Sequence, residues 1–312
     1  MDFTVITPSL NYGRFLGDCL ESVADQLNPN QERRNPSADA DEKSMTPAEH
    51  VPLTTHGQGD SEIAPPCVTF EHLIIDGGST DDSAEIAARF PHAAWTQEPD
   101  KGMSDAINKG FDRAKGEWVI WLNADDRLKP GALAGMLDFL KRSAADVVYG
   151  DYDFIDESGG LIRRMKVPGW SSFVHIHHHC YVPSTAAFYR NATVIAEGHR
   201  LREDFRYVMD GEFYARLDAT GKRFAHAPVN VAEFRMHGGN ASQRHLEKTR
   251  EMDAVLAAER QHVESRAIRR AYGITLFEDP YLNGLVDGLL WLAAKGWKAV
   301  MKSLKGGRGE WG

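Results

Sequence analysis

Two adjacent carboxylates, Asp125 and Asp126, follow the apolar run Trp118-Val119-Ile120-Trp121-Leu122 and Asn123. Side by side, like charges repel, so a chain that sets them at the mouth of a buried strand calls for a cation or a local structural use. A hard divalent cation, Mg²⁺ or Mn²⁺, takes oxygen ligands. Mg²⁺ in particular keeps waters and binds one or two carboxylates plus substrate phosphates. The competing use is a cap for the turn before Lys129-Pro130. A third acid, Asp210, stands in Tyr207-Val208-Met209-Asp210-Gly211-Glu212, ahead of a helical pattern. That place suits a helix N-cap. Glu212 lies two residues on and points elsewhere on a helix.

The elements around these acids follow from periodicity. Phe3 to Asn11 reads as a short buried strand ending in a turn, and Gly13 to Gln26 has helical spacing, with Phe15, Leu16, Cys19, Leu20 and Val23 on one face. Leu73 to Ile75 form a second strand. Asp76-Gly77-Gly78-Ser79-Thr80-Asp81-Asp82 is a turn, with Ser79 or Thr80 a candidate cap for the next helix. Ala93 to Pro99 is a third strand, Met103 to Ala114 a helix, and Glu117 to Asp126 a fourth strand. Strands alternating with helices predict an α/β fold, a mostly parallel sheet flanked by helices. Ligands of such sheets bind beyond the carboxyl ends of the strands. Thr7-Pro8, Asp76 and Asn123 to Asp126 all fall there, so three polar clusters converge on one crevice. A helix at Gly131 to Ser143, strands at Asp146 to Asp156 and Leu161 to Val167, a helix at Tyr207 to Gly221 and one or two strands at Arg223 to His237 follow.

The 312 residues suffice for one large α/β domain or two smaller ones. A net charge of −9 argues against general nucleic-acid binding, which needs a basic footprint. Cys19, Cys67 and Cys180 have no paired spacing, which fits a reducing compartment. The N-terminus starts in a strand-like run without the pattern of a secretory signal, and no stretch reaches the roughly 18 apolar residues of a spanning helix. A cytoplasmic protein, or one at the inner face of the membrane, is expected. Residues 27–66 are rich in Pro, Asn, Asp, Ser, Glu and Gln without an apolar period and read as a flexible insertion.

Taken together, Val5-Ile6-Thr7-Pro8-Ser9-Leu10-Asn11, Ile74-Ile75-Asp76-Gly77-Gly78-Ser79-Thr80, the segment from Glu98 to Gly110, the Asn123-Ala124-Asp125-Asp126 turn, Val182 to Arg190, Tyr207 to Leu217 and Phe234 to Ser242 resemble the family 2 glycosyltransferases. The resemblance spans Phe3 to Ser242. It implies a GT-A fold over residues 1–241, a nucleotide-diphosphate sugar donor of the UDP type, a Mg²⁺ or Mn²⁺ ion and inversion at the anomeric carbon. It also implies a hydroxyl acceptor, a glycan or lipid-linked sugar, as in cell-surface polysaccharide synthesis. By the same resemblance Thr7 and Pro8 lie in the donor-base pocket, Asp76 accepts a hydrogen bond from the base, and Asn11 and Gly77 are substrate-binding residues. Lys101 and Gly102 belong to the donor side, Asp125 is the metal-binding acid, and His237 lies near the diphosphate or metal. Asp210 is the general base, and Glu212 is the second candidate for that role or positions acceptor or sugar. The sequence departs from the common pattern at Asn123, which stands where a first acid usually does; as a substrate-binding residue it can hydrogen-bond a ribose hydroxyl but brings no charge.

The run His175, His177, His178, His179 and Cys180 does not match a common zinc spacing and precedes a segment that lies near the acceptor in the family. An acceptor-contacting loop is expected there. Residues 242–312 read as a helical extension. Its part from 281 to 308 joins Leu285, Leu289, Leu290 and Val300 to a basic end at Lys295, Lys298, Lys302 and Lys305. Such a helix lies on an anionic membrane face or packs on the body or on a second copy in a homo-oligomer. Two other functions stay open: a sugar-phosphate nucleotidyltransferase, which needs a basic glycine-rich loop where this chain has only Arg14, and a non-catalytic nucleotide-sugar binder, suggested by Asn123.

Overall fold

The computed structural model describes residues 1–27, 68–177 and 180–240. Nearly all of the 27–66 insertion, and the whole 242–312 extension, lie outside the described residues. The first half alternates as the periodicity predicts: β1 (Phe3–Ser9), α1 (Gly13–Ala24), β2 (Phe70–Asp76), α2 (Ser83–Ala87), β3 (Ala93–Gln97), α3 (Met103–Arg113) and β4 (Trp118–Trp121). The second half contains β5 (Arg127–Leu128), α4 (Ala132–Arg142), β6 (Val147–Ile155), β7 (Leu161–Met165), α5 (Ser172–His177), β8 (Ala187–Arg190), α6 (Met209–Ala219) and β9 (Phe224–Arg235).

The strands form one sheet in the order β3-β2-β1-β4-β8-β6-β9-β5, with β7 paired to β6. From β3 to β4 every pairing is parallel. Beyond β4 the sheet is mixed, because β8 runs antiparallel between β4 and β6. The short run Ala187-Phe188-Tyr189 is buried on both faces, so its apolar pattern carries no sign of direction.

Side chains alternate across the strands and feed two cores. Phe3, Val5, Trp118 and Ile120 pack with α1 and α4 on one face. Ile6, Val119 and Trp121 pack with α3 and α6 on the other. In β1 the residue after Val5 on the α1 face is Thr7. It is fully buried, and its hydroxyl pairs with His72 Nε2 at 2.9 Å. The register sets Ser9 beside Asp76 and Ile6 beside Trp121, so the carboxyl ends of β1, β2 and β4 open on one edge.

Candidate active site

The wall of the crevice on the β1–β2 side is built by two loops that bind each other. Asn11 sits at φ +56°, a left-handed conformation that asparagine tolerates better than most residues. In that conformation its N–H donates to Ser79 Oγ at 2.7 Å and its Oδ1 accepts the Thr80 N–H at 2.9 Å. Asp76 is fully buried, with Oδ1 accepting the N–H groups of Gly78 at 3.0 Å and Ser79 at 2.7 Å. Its Oδ2 takes the Ser79 hydroxyl. Much of its hydrogen-bonding capacity is therefore spent on its own turn. Ser79 is the partner of Asp76 rather than a helix cap, and the N-cap position of α2 belongs to Asp82.

Gly77 has a positional reason. A Cβ there would lie 2.3 Å from Asp100 Oδ2, so the Asp100 carboxylate rests directly on the turn. Asp100 also accepts the Gly102 N–H at 2.8 Å, and Gly102 adopts φ +127° at the start of α3. Sequence reasoning overlooked Asp100, although it sits inside the Glu98 to Gly110 segment. Lys101 reaches outward and pairs with Glu203 at 3.1 Å on the surface. Thr7 and Pro8, both buried, border the crevice at the end of β1; the Thr7 hydroxyl is spent on His72.

The acidic turn follows β4. Asp126 points inward: Oδ1 accepts the Arg235 N–H at 2.9 Å and Oδ2 accepts from Asn123 Nδ2 at 3.1 Å. Burial first, then the neighbouring Asp125 charge, pushes its carboxyl well above the usual range. Asp125 is turned differently. Its Oδ2 lies 2.9 Å from His237 Nε2, a pair brought together from 112 residues apart. Gly239 N–H donates to His237 Nδ1 at 3.1 Å, which leaves the ring proton on Nε2, toward Asp125. Phe15 lies against the imidazole with ring centroids 4.8 Å apart. Burial, followed by the charges of Asp125 and Asp126, pushes the nearby Tyr12 phenol up to about 12.

Arg235 is the residue that sequence reasoning missed outright. It is 1% exposed, and its guanidinium donates to Asp125 O, Glu157 O and Asp18 Oδ2 at 2.8, 2.9 and 2.7 Å. One buried cation thus holds the backbone of the acidic turn. A charged residue at an inward strand position was the available signal.

Asp210 and Glu212 part company. The N-cap position of α6 is Val208, so Asp210 lies within the first turn and is not the cap. That turn is fixed from two sides: Ser104 at the start of α3 bonds Met209 Sδ at 3.0 Å, and His175 Nε2 meets Gly211 O at 2.8 Å. Asp210 is half-buried, and its charge contributes, after burial, to the raised pKa of the Tyr189 phenol. Glu212 is 4% exposed and locked to Arg216 by two bonds of 2.7 and 3.0 Å. His175 is buried among Trp170, Tyr181 and Tyr214, so this member of the histidine run braces α6 rather than lining an acceptor loop. The side chains of the other three histidines lie outside the described residues.

The donor set fits a divalent cation. Asp125 supplies a carboxylate, while both oxygens of Asp126 are taken; the His237 imidazole, with Nδ1 on the Gly239 N–H and its proton on Nε2, can bind an ion only once that proton leaves. Among the described residues no cluster of three or more His, Cys, Asp or Glu side chains forms a closed cage. An ion there needs oxygens from elsewhere, as a diphosphate provides.

Comparison with known proteins finds a shared family and fold. The family profile described as glycosyl transferase family 2 matches residues 64–199. A PGL/p-HBAD biosynthesis glycosyltransferase of Mycobacterium tuberculosis is 30% identical over 251 residues, covering 76% of this chain and 78% of its own. Glycosyltransferase GlyG of Streptococcus pneumoniae is 26% identical over 162 residues, covering 50% of this chain and 41% of its own. In fold, the chain matches S. aureus TarS residues 1–349 in complex with UDP-GlcNAc with a TM-score of 0.57 at 17% identity, over 90% of this chain and 77% of that one.

Proposed function

The chain belongs to glycosyl transferase family 2, and on that premise we propose that its crevice moves a sugar from a nucleotide-diphosphate donor to a hydroxyl acceptor, with inversion, during cell-surface glycan synthesis. The observation that carries the reading is the meeting of Asp125 and His237 at the mouth of β4, on the same sheet edge as Asp76. The names of the relatives support it: one acts in PGL/p-HBAD biosynthesis, and TarS has been solved with UDP and with UDP-GlcNAc.

In this reading the paired β1 and β2 loops hold the base, with Asn11, Asp76 and Gly77 shaping the pocket and Asp100 closing it. Asp125 would hold Mg²⁺ or Mn²⁺, joined by His237 Nε2 once it gives up its proton; when bound, the ion offsets the charge that grows on the leaving diphosphate. Asn123 adds no charge and spends its amide on Asp126, so the cation rests on Asp125 alone among the acids of this turn. Asp210 accepts the proton of the acceptor hydroxyl as that oxygen attacks the face opposite the leaving diphosphate. The first turn of α6, held by Ser104 and His175, keeps its carboxylate in place.

Screening nucleotide sugars by thermal shift in Mn²⁺, then following nucleotide diphosphate release, tests the proposal. Asp210→Asn should lower turnover by roughly 10²–10⁴-fold while donor affinity stays put, since a contact made only in the transition state is absent from ground-state binding. Asp125→Ala should instead remove the Mn²⁺-dependent part of donor binding. Full turnover in Asp210→Asn, or unchanged Mn²⁺ dependence in Asp125→Ala, would overturn the respective assignment. Absence of any nucleotide-sugar hit would count against the donor class itself.

A further inference from the structure

Arg235 meets three acidic residues by three routes. Its Nε donates to the carbonyl of Asp125 at 2.8 Å, its backbone N–H to Asp126 Oδ1 at 2.9 Å, and its Nη2 to Asp18 Oδ2 at 2.7 Å. Among the described residues Asp18 is the one carboxylate that the guanidinium itself touches. Nη1 is taken by Glu157 O at 2.9 Å, and the Phe15 ring lies 5.0 Å from Cζ. The Arg235 side chain is 1% exposed and that of Asp18 is 50% exposed. Asp18 stands mid-way along α1, one turn after Arg14 on its solvent face. The transfer reaction by itself gives it no role.

A guanidinium keeps its charge in a protein, and so deeply buried it needs a counter-charge. Asp18 supplies it. Arg127 also reaches Asp18, at 3.9 Å, but has Glu233 at 2.7 Å. The Glu157 carboxylate is held by Arg14 at 2.5 Å. Without Asp18, the acids left beside Arg235 are Asp125 and Asp126, whose turn it already touches. The guanidinium would then turn toward that pair, or stay as an uncompensated charge next to it. Either outcome opposes a second cation at Asp125, by competition in the first case and by repulsion in the second. With Asp18 in place, Nε stays on the Asp125 carbonyl. The Asp125 carboxylate then faces His237 at 2.9 Å and Asn240 at 3.5 Å, with no guanidinium bound to it.

We propose that Asp18 is a positioning residue for the cation site: it holds the Arg235 guanidinium, cancels its charge, and so leaves the Asp125 carboxylate to a divalent ion. This rests on the proposed role of Asp125, and its test reads metal binding without turnover. Mn²⁺ alone is titrated into the full chain, and the free ion is followed by electron paramagnetic resonance. Asp18→Asn should weaken Mn²⁺ binding about tenfold, the lower end of the range for groups that support a metal ligand. Asp18→Glu keeps the charge and should restore most of the affinity. Glu21→Gln removes an exposed acid from the same helix and should leave the affinity unchanged. Melting temperatures should stay close to wild type in all three, because a half-exposed ion pair contributes little to stability. Mn²⁺ binding that is lost in Asp125→Ala but kept in Asp18→Asn would overturn this proposal and leave the Asp125 assignment standing. No binding by wild type, or binding indifferent to Asp125→Ala, would remove both. Equal losses in Asp18→Asn and Glu21→Gln would reduce the effect to net charge and overturn the proposal. So would a loss that Asp18→Glu does not restore.

Discussion

At the scale of single residues the site separates acids that the sequence presents as equals. Asp210 and Glu212 are two positions apart, yet one is half-buried in the first turn of α6 and the other is sealed against Arg216. Glu212→Gln keeps shape but removes the charge that pairs the guanidinium. It should cost roughly 1.5–3 kcal/mol of stability, the range for hydrogen bonds to charged groups, and change turnover by less than about tenfold. Asp210→Asn should do the reverse, leaving the melting temperature in place and removing turnover. Chemical denaturation beside donor hydrolysis tests the pair, and loss of turnover without loss of stability in Glu212→Gln would make Glu212 the base. Below the sheet, burial and then the nearby His92 push the His72 imidazole down to about 3, and burial also lowers His92. The folded-state pKa lies below the unfolded value. The stability these rings contribute is therefore complete above about pH 6.5 and is lost as pH falls toward 3, at about 1.4 kcal/mol per pH unit for one group. Denaturant midpoints measured between about pH 7 and pH 5 should fall less steeply in His72→Gln than in wild type. Equal slopes would mean that His72 is protonated in the native state.

At the scale of elements, the close approach of α3 to β1 carries the donor side of the crevice. A Cβ on Gly110 would lie 2.4 Å from Ile6 Cγ2, and Ile6 is fully buried. Alanine gains up to about 1 kcal/mol of helix propensity over glycine. Overpacking against a side chain that cannot retreat costs typically 1–3 kcal/mol. The clash wins, so Gly110→Ala should lower stability and, by displacing the N-terminal end of α3 with Gly102, weaken donor binding as well; a gain in melting temperature would show that the two elements can separate freely. The elements that position the site were legible because their signals are local. β1, α1, α3 and β4 have strong apolar periods, and the polar residues fall where those periods end. What was not legible depends on contacts distant in sequence. β5 is two residues long and exists because Arg127 and Leu128 meet Glu233 and Ala232 of β9. α5 forms within a histidine-rich run, where the fixed point is the bond from His175 to Gly211 O. Arg235 reads as an ordinary strand charge until Asp18, Asp125 and Glu157 surround it.

At the scale of the whole molecule, the described residues form one sheet with packed helices on it. Both faces of the sheet are covered, by α1 and α4 on one side and by α3 and α6 on the other. The two ends of the 27–66 excursion root in one cluster: Val23 precedes it in α1 and Val68 follows it, and both pack with Phe3 and Trp118. The segment between them holds few apolar residues and many Pro, Asp, Glu, Asn and Gln residues, too few to offset the cost of ordering it against that core. Shortening a loop whose ends are already anchored changes closure entropy only slowly with length. Replacing residues 30–64 with a short Gly/Ser linker should therefore shift the melting temperature by no more than about 3 °C, the effect of roughly 1 kcal/mol in a protein of this size. Donor binding should persist, because Asn11, Asp76, Asp125 and His237 all stand on elements that the replacement leaves alone. Calorimetry of the shortened chain with and without donor and Mn²⁺ measures both. A drop well beyond that range would place the segment in the packed core, and an unchanged melting temperature with loss of the donor-induced shift would make it part of the donor site.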